Sequence, residues 1–205
     1  MTNLEKLIRH FEQFPGIGGR QARRFAFHIL TLDPKDVDEI SFLITSMQDS
    51  VAECSSCRRF FSKNGDKDEQ CSICTDGNRD QKTLMVIERD SDVQAIERSG
   101  TYDGLYFVLG GTVSLLNSDE TKKIRGGALK ALVELRAKDE LNEIIYGFSV
   151  NPDGENTTRY VESILKEILE KHSIKTSQLG RGLSTGSELE YADPETIKNA
   201  LQNRH

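Results

Sequence analysis

Cys54-Ser55-Ser56-Cys57, thirteen further residues, then Cys71-Ser72-Ile73-Cys74: this stretch holds all four cysteines of a 205-residue chain, in two matched CxxC turns. Each turn brings two sulfurs together, and two such turns supply the four soft ligands of a closed tetrahedral zinc site. The residues between them are polar and charged (Lys63-Asn64-Gly65-Asp66-Lys67-Asp68-Glu69), so they build no core of their own. Zinc binding worth about 10–16 kcal/mol is enough to hold so small a knuckle. Two disulfides are the alternative, but no signal peptide precedes the stretch and the expected compartment is reducing. A catalytic redox CxxC leaves the second pair without a role. Four protein ligands leave zinc no open position, so Cys54, Cys57, Cys71 and Cys74 read as a structural site rather than a catalytic one.

Working outward, composition bounds the rest. A chain of 205 residues makes one large domain or two small ones. Hydrophobic content of 36% suits a segmented protein with small cores. Charges run through Met1–Phe14, and no run approaches the roughly 20 apolar residues that span a bilayer, so the expectation is a soluble, cytoplasmic protein with no membrane partner. The net charge of −6 excludes a bulk polycation. Any nucleic-acid contact must come from a local patch.

One such patch lies upstream. Leu4, Leu7, Ile8, Phe11 and Phe14 recur at helical spacing and predict a helix over 3–13. Pro15-Gly16-Ile17-Gly18-Gly19 ends it, and a second helix is expected over 20–30 with Ala22, Phe25, Ala26 and Ile29 on its apolar face. Gly16 and Gly18 let the backbone turn tightly and let a phosphate approach. The first amides of the next helix, with the positive end of its dipole behind them, face outward. Arg20, Arg23 and Arg24 follow, and no acid occurs between Phe14 and Leu32. This surface suits a nucleic-acid backbone without reading bases. The bland alternative is a helical hairpin with solvated arginines; the Phe-Pro-Gly-Ile-Gly pattern is similar to the helix–hairpin–helix of DNA-repair proteins. His28 reads as a packed core histidine, while His10, His172 and His205 carry no pattern. Asp33-Pro34 opens a third helix whose apolar stripe runs through Val37, Ile40, Leu43, Ile44, Met47 and Val51.

Downstream the pattern changes. Leu84–Ile87, Leu105–Leu109 and Ile144–Phe148 read as buried strands, alternating with helices over about 92–99, 124–136 and 157–171. That alternation indicates a parallel sheet with helical crossovers. Ligands of such sheets bind beyond the carboxyl ends of the strands. Glu88, Asp153 and Glu155 fall there and can hold a magnesium ion for phosphoryl transfer, or are polar loop residues and nothing more.

These segments, in this order, resemble the RecR family of bacterial recombination mediators. The resemblance rests on Phe14-Pro15-Gly16-Ile17-Gly18 with Ala26-Phe27-His28, and on the four cysteines followed by Arg79-Asp80. It continues through Glu88, Ala95-Ile96-Glu97-Arg98, Gly104-Leu105-Tyr106 and Val108-Leu109-Gly110-Gly111. It ends on Gly180-Arg181-Gly182-Leu183 and Glu188-Leu189-Glu190-Tyr191-Ala192-Asp193. It implies an α/β multi-part fold: a helix–hairpin–helix DNA-binding region (1–53), a four-cysteine zinc finger (54–78), a Toprim domain (79–173) and a small C-terminal element for oligomerisation (174–205). It implies a non-enzymatic, ring-forming homo-oligomer, a tetramer, that clamps DNA. With RecO and RecF, such a clamp helps load RecA onto strands coated by single-strand-binding protein. The chain departs from the family in a loop two residues shorter at 151–155, where Asp153 stands in place of the usual glutamate. It departs again at Thr185-Gly186-Ser187 and over 115–127. The shortened loop bears on the acidic site, which then serves partner docking rather than magnesium. A catalytic Toprim enzyme, nuclease or primase-like, is the alternative; the sequence has no priming motif and no tyrosine in a nucleophile context.

Overall fold

The computed structural model describes residues 1–205 apart from 64, 66–68, 115–123, 181–182, 184–185, 187 and 203–205. Arg181 and Gly182 of the C-terminal signature, Thr185 and Ser187 of the altered turn, most of the poorly matching 115–127 stretch and His205 therefore lie outside the described residues, as do Asn64, Asp66, Lys67 and Asp68 of the cysteine loop. The chain forms two compact units, Met1–Ala52 and Glu53–His205.

The first unit is helical: α1 (Asn3–Glu12), α2 (Gly19–Ile29) and α3 (Pro34–Ser50). A capping box starts α1, in which Thr2 Oγ1 accepts from the Glu5 N–H at 3.2 Å and Glu5 Oε2 accepts from the Thr2 N–H at 2.7 Å. Phe11 packs edge-on against Phe14 and Phe25, and Ala22 and Ala26 are buried where α1 meets α2. Small residues there let the two helices approach closely. One expectation needs correction. His28 is exposed, because the buried stripe of α2 runs through the alanines and leaves position 28 on the outer side. The apolar stripe of α3 forms as expected, with Ile40, Leu43, Ile44 and Met47 all exposed. Asp33 and Pro34 occupy the N-cap and first helical positions of α3 as expected, although the Asp33 side chain makes no capping hydrogen bond.

The second unit is organised on a four-stranded parallel sheet, ordered β4-β3-β5-β6. Short β1 (Val51–Glu53) and β2 (Phe60–Ser62) form a separate two-stranded sheet, and α4 (Ser72–Thr75) carries the last cysteine pair. The main sheet comprises β3 (Asp80–Ile87), β4 (Gly104–Val108), β5 (Glu143–Gly147) and β6 (Lys175–Gln178). Its crossovers carry α5 (Asp90–Ser99), α6 (Gly126–Arg136) and α7 (Pro152–His172). A turn of 3-10 helix (Leu189–Tyr191) and α8 (Pro194–Gln202) follow. Central β3 reads as a continuous apolar run because helices cover both faces: Leu84, Val86 and Ile87 are fully buried, with Val86 registered between Phe107 and Tyr146. Leu129 and Val133 of α6 and Val161 and Leu165 of α7 close the core. Arg79 forks onto both oxygens of Glu97 and reaches the Gly104 carbonyl at 3.0 Å, while the Tyr106 hydroxyl donates to Glu97 at 2.7 Å. Burial pushes the Glu97 carboxyl up, but these partners outweigh it and leave the group below its ordinary pKa.

The main departure from expectation is the start of α7. It begins at Pro152, not near Thr157, because Asn151 is an N-cap whose Oδ1 accepts from the Gly154 N–H at 2.8 Å, followed by proline at the first helical position. Asp153 and Glu155 thus sit in the first turn of a helix rather than in a loop. Polar β6 also escaped the reading, since an edge strand of sequence Lys-Thr-Ser-Gln carries no apolar period. Among the described residues no helix is long and apolar enough to cross a membrane. Gly154 is buried, and a Cβ there would lie 1.9 Å from the Ser149 carbonyl oxygen. Gly154→Ala is therefore expected to destabilise the fold by about 3 kcal/mol, the upper end for overpacking, in urea unfolding; a loss of a few tenths would contradict this packing.

Candidate metal centre and nucleic-acid interface

The two CxxC turns meet. The Sγ atoms of Cys54, Cys57, Cys71 and Cys74 all lie within 4.8 Å of one another, and none is in a disulfide. Cys57 and Cys71 Sγ are 3.6 Å apart. Metal–sulfur bonds of about 2.3 Å directed to a tetrahedron put sulfurs about 3.8 Å apart, so the set fits a metal ion. The local backbone explains the approach. The Arg58 N–H returns to the Cys54 carbonyl at 3.0 Å, with Arg58 itself at φ +64°, and the Cys74 N–H returns to the Cys71 carbonyl at 3.0 Å. The Cys71 N–H donates to Cys54 Sγ at 3.4 Å. Cys54, Cys57 and Cys71 are fully buried. Hydrogen bonds from Cys57, then Cys71 and Cys74, hold the Cys54 thiol far below its usual pKa, and the same contact with Cys54 pushes Cys57 and Cys74 up. A coordinated cation removes that competition, because it deprotonates each thiol it binds.

The knuckle is fastened to the main sheet by contacts that sequence reading missed. The Val108 N–H donates to the Cys57 carbonyl at 2.8 Å, and the Phe60 N–H donates to Asp90 Oδ1 at 2.6 Å. Arg125 donates to Glu53 Oε2 at 2.8 Å and to the Val108 carbonyl at 3.2 Å, and its guanidinium lies 5.8 Å from the Phe60 ring centre. Arg58 pairs with the other Glu53 oxygen at 3.2 Å. No local motif in the sequence singles out Arg125.

At the carboxyl end of β3, Glu88 is 6% exposed and its Oε1 accepts from the Ser149 N–H at 2.6 Å. This carboxylate braces the connection between β5 and α7. Asp153 and Glu155 are half-buried in the first turn of α7, where the helix dipole favours negative charge. Among the described residues the four cysteines are the one group of three or more metal-ligating side chains close enough to share an ion; Glu88, Asp153 and Glu155 do not form another.

In the first unit, Phe14-Pro15-Gly16-Ile17 is a tight turn. Gly16 sits at φ +76° and the Ile17 N–H returns to the Phe14 carbonyl at 3.0 Å, with proline and glycine where a type II turn places them. Gly18 is the N-cap of α2, and its N–H donates to Gln21 Oε1 at 3.2 Å. The Gln21 and Ala22 N–H groups return to the Gly18 carbonyl at 2.9 and 3.0 Å, which leaves the Gly19 and Arg20 amides at the head of α2 without an intrahelical acceptor. Arg20, Arg23 and Arg24 are exposed and make no ion pair among the described residues. They line a groove of about 970 Å³ with Phe27 and His28.

Comparison with known proteins matches three segments of the chain. Residues 4–47 match the family described as RecR, helix-hairpin-helix; residues 82–179 match the Toprim domain; residues 182–205 match the family described as RecR, C-terminal. The recombination protein RecR of Lactobacillus helveticus is 35% identical over 199 residues, covering 97% of this chain and 94% of that protein. Its namesake from Streptococcus pneumoniae is 37% identical over 203 residues, covering 99% and 96%. That of Lactobacillus johnsonii is 34% identical over 202 residues, covering 98% and 96%. A chain that carries a helix–hairpin–helix, a four-cysteine knuckle and a Toprim sheet belongs to a class of DNA repair and recombination proteins. Within that class, the chain belongs to the RecR family.

Proposed function

We propose that this protein acts as a DNA clamp: a homo-oligomer, ring-forming and tetrameric in the manner of the family it resembles, that works with RecO and RecF. In this reading it helps load RecA onto single strands coated by single-strand-binding protein. The observation that carries the proposal is the exposed, acid-free face of α2 behind the Gly16 turn, in a chain matched over nearly its whole length by recombination proteins. Gly16 and Gly18 bring the backbone close to a phosphate, and Arg20, Arg23 and Arg24 supply its counter-charge. The division of labour follows the four segments 1–53, 54–78, 79–173 and 174–205. The metal is zinc, since four thiolates in a closed tetrahedral set suit it best.

The Toprim domain serves docking rather than catalysis. Support comes from Glu88, whose carboxylate is engaged by a backbone amide, and from the lack of a convergent acidic ligand set among the described residues. Asp153 and Glu155 present negative charge beyond the carboxyl ends of the strands, buried Glu88 braces the turn that leads to them, and RecO is the partner assigned to this acidic set.

Two measurements test this. Binding to a labelled DNA should fall steeply with salt, at about −0.9 in log–log slope per phosphate neutralised. Changing Arg20, Arg23 and Arg24 together to glutamine should weaken binding and flatten that slope by about 2–3; unchanged binding contradicts the hairpin assignment. Replacing Glu88→Gln, Asp153→Asn and Glu155→Gln together should weaken capture of purified RecO about tenfold or more, and an unchanged complex contradicts the docking role.

A further inference from the structure

The cationic face of α2 carries more than charge. Arg20, Arg24 and Phe27 or His28 follow one another at helical spacing, so they share one stripe of α2, Arg23 flanks Phe27 one turn back, and Thr31 follows just past the helix end. These residues line a single open groove. Phe27 is 54% exposed within it. Phe25 also lines the groove and is 46% exposed, but its ring is held edge-on against Phe11, whereas Phe27 makes no ring contact among the described residues. An aromatic ring left bare between arginines is poorly suited to a duplex, whose base faces are already stacked inside and whose outer surface offers only phosphate and sugar. It suits an unpaired strand, in which a phosphate meets an arginine while the adjoining base lies flat on the ring. The rise of about 1.5 Å per residue puts Arg24 about 5 Å and Arg20 about 10 Å from Phe27 along the axis, within the reach of one or two nucleotides.

A second copy of this chain is the other occupant to weigh. A two-fold contact across this face would set Arg20, Arg23 and Arg24 of one copy against the same three of the other, with no acid between residues 14 and 32 to separate them. Charge complementarity selects the polyanion.

We infer that Phe27 is a base-stacking platform, and that the α2 face prefers unpaired over duplex nucleic acid. The inference rests on the proposed DNA contact of Arg20, Arg23 and Arg24 and deepens it.

The test uses the full chain in reducing buffer, one unstructured labelled strand, and the duplex made by annealing its complement. Phe27→Ala should weaken binding to the strand about 5-fold to 100-fold, the range for loss of one stacked base, and change duplex binding by less than about twofold. Phe27→Tyr should restore strand binding. In Phe27→Trp, indole fluorescence should be quenched by the strand and not by the duplex, a readout that needs no loss of function. Equal losses on both forms, no loss on the strand, or an unquenched tryptophan overturns the inference while leaving the arginine contact standing. A change of solution mass in Phe27→Ala, with strand binding retained, overturns it by assigning the ring to a contact between copies. If the unaltered protein binds neither form at low salt, the arginine reading falls first and this one with it.

Discussion

Four sulfurs drawn within 4.8 Å of one another are the constraint on which the second unit depends. Residues 54–74 have almost no apolar material of their own beyond the cysteines, Phe60, Phe61 and Ile73. A segment of that size cannot offset the backbone entropy of its own ordering by burial. A cation shared by the four sulfurs supplies about 10–16 kcal/mol, which is ample. Once pinned, the segment presents fixed groups to the sheet. The Cys57 carbonyl receives the Val108 amide, and Glu53 receives both Arg58 and Arg125. The β4 edge, otherwise open, is thereby covered at its carboxyl end, which is one of the ways a protein protects an edge strand.

That same end of the sheet gathers the acidic residues. Glu88 follows β3 directly, and its hydrogen bond to the Ser149 amide sets the turn that leads into α7. The Asn151 cap and the close passage of Gly154 against Ser149 then fix where Asp153 and Glu155 stand. The Glu88 contact and the Asn151 cap thus fix the positions of these acids through backbone geometry. The cationic surface belongs to the first unit, whose Arg20–Arg24 face reverses locally the sign of a chain carrying −6 overall. In the function proposed above, the cationic face meets a polyanion and the acids meet a basic partner.

Much of this was legible beforehand. The paired CxxC turns needed only their spacing, and strands β3, β4 and β5 needed only their unbroken apolar runs. The Gly16 turn was legible because a positive φ after proline has few other occupants. The failures have physical causes. Asn151-Pro152 is a helix start, but the shortened loop drew attention to its acids and away from its cap. β6 is invisible because an edge strand facing solvent need not be apolar. His28 was misjudged, and the exposed stripe of α3 shows why: apolar spacing shows which residues lie together on a helix, not whether anything covers them. Arg125 was beyond reach, since its partners Glu53 and Val108 are distant in sequence and only the fold brings them together.

The central claim is that metal on the four cysteines holds the knuckle against the sheet. Its most direct test is elemental analysis of reduced, folded protein, coupled to hydrogen exchange at the Val108 amide before and after chelation. One zinc per chain, with Val108 protected until the metal is removed and exposed afterwards, is the result predicted. A folded, reduced chain that carries no bound metal and keeps Val108 protected in the presence of chelator would contradict it.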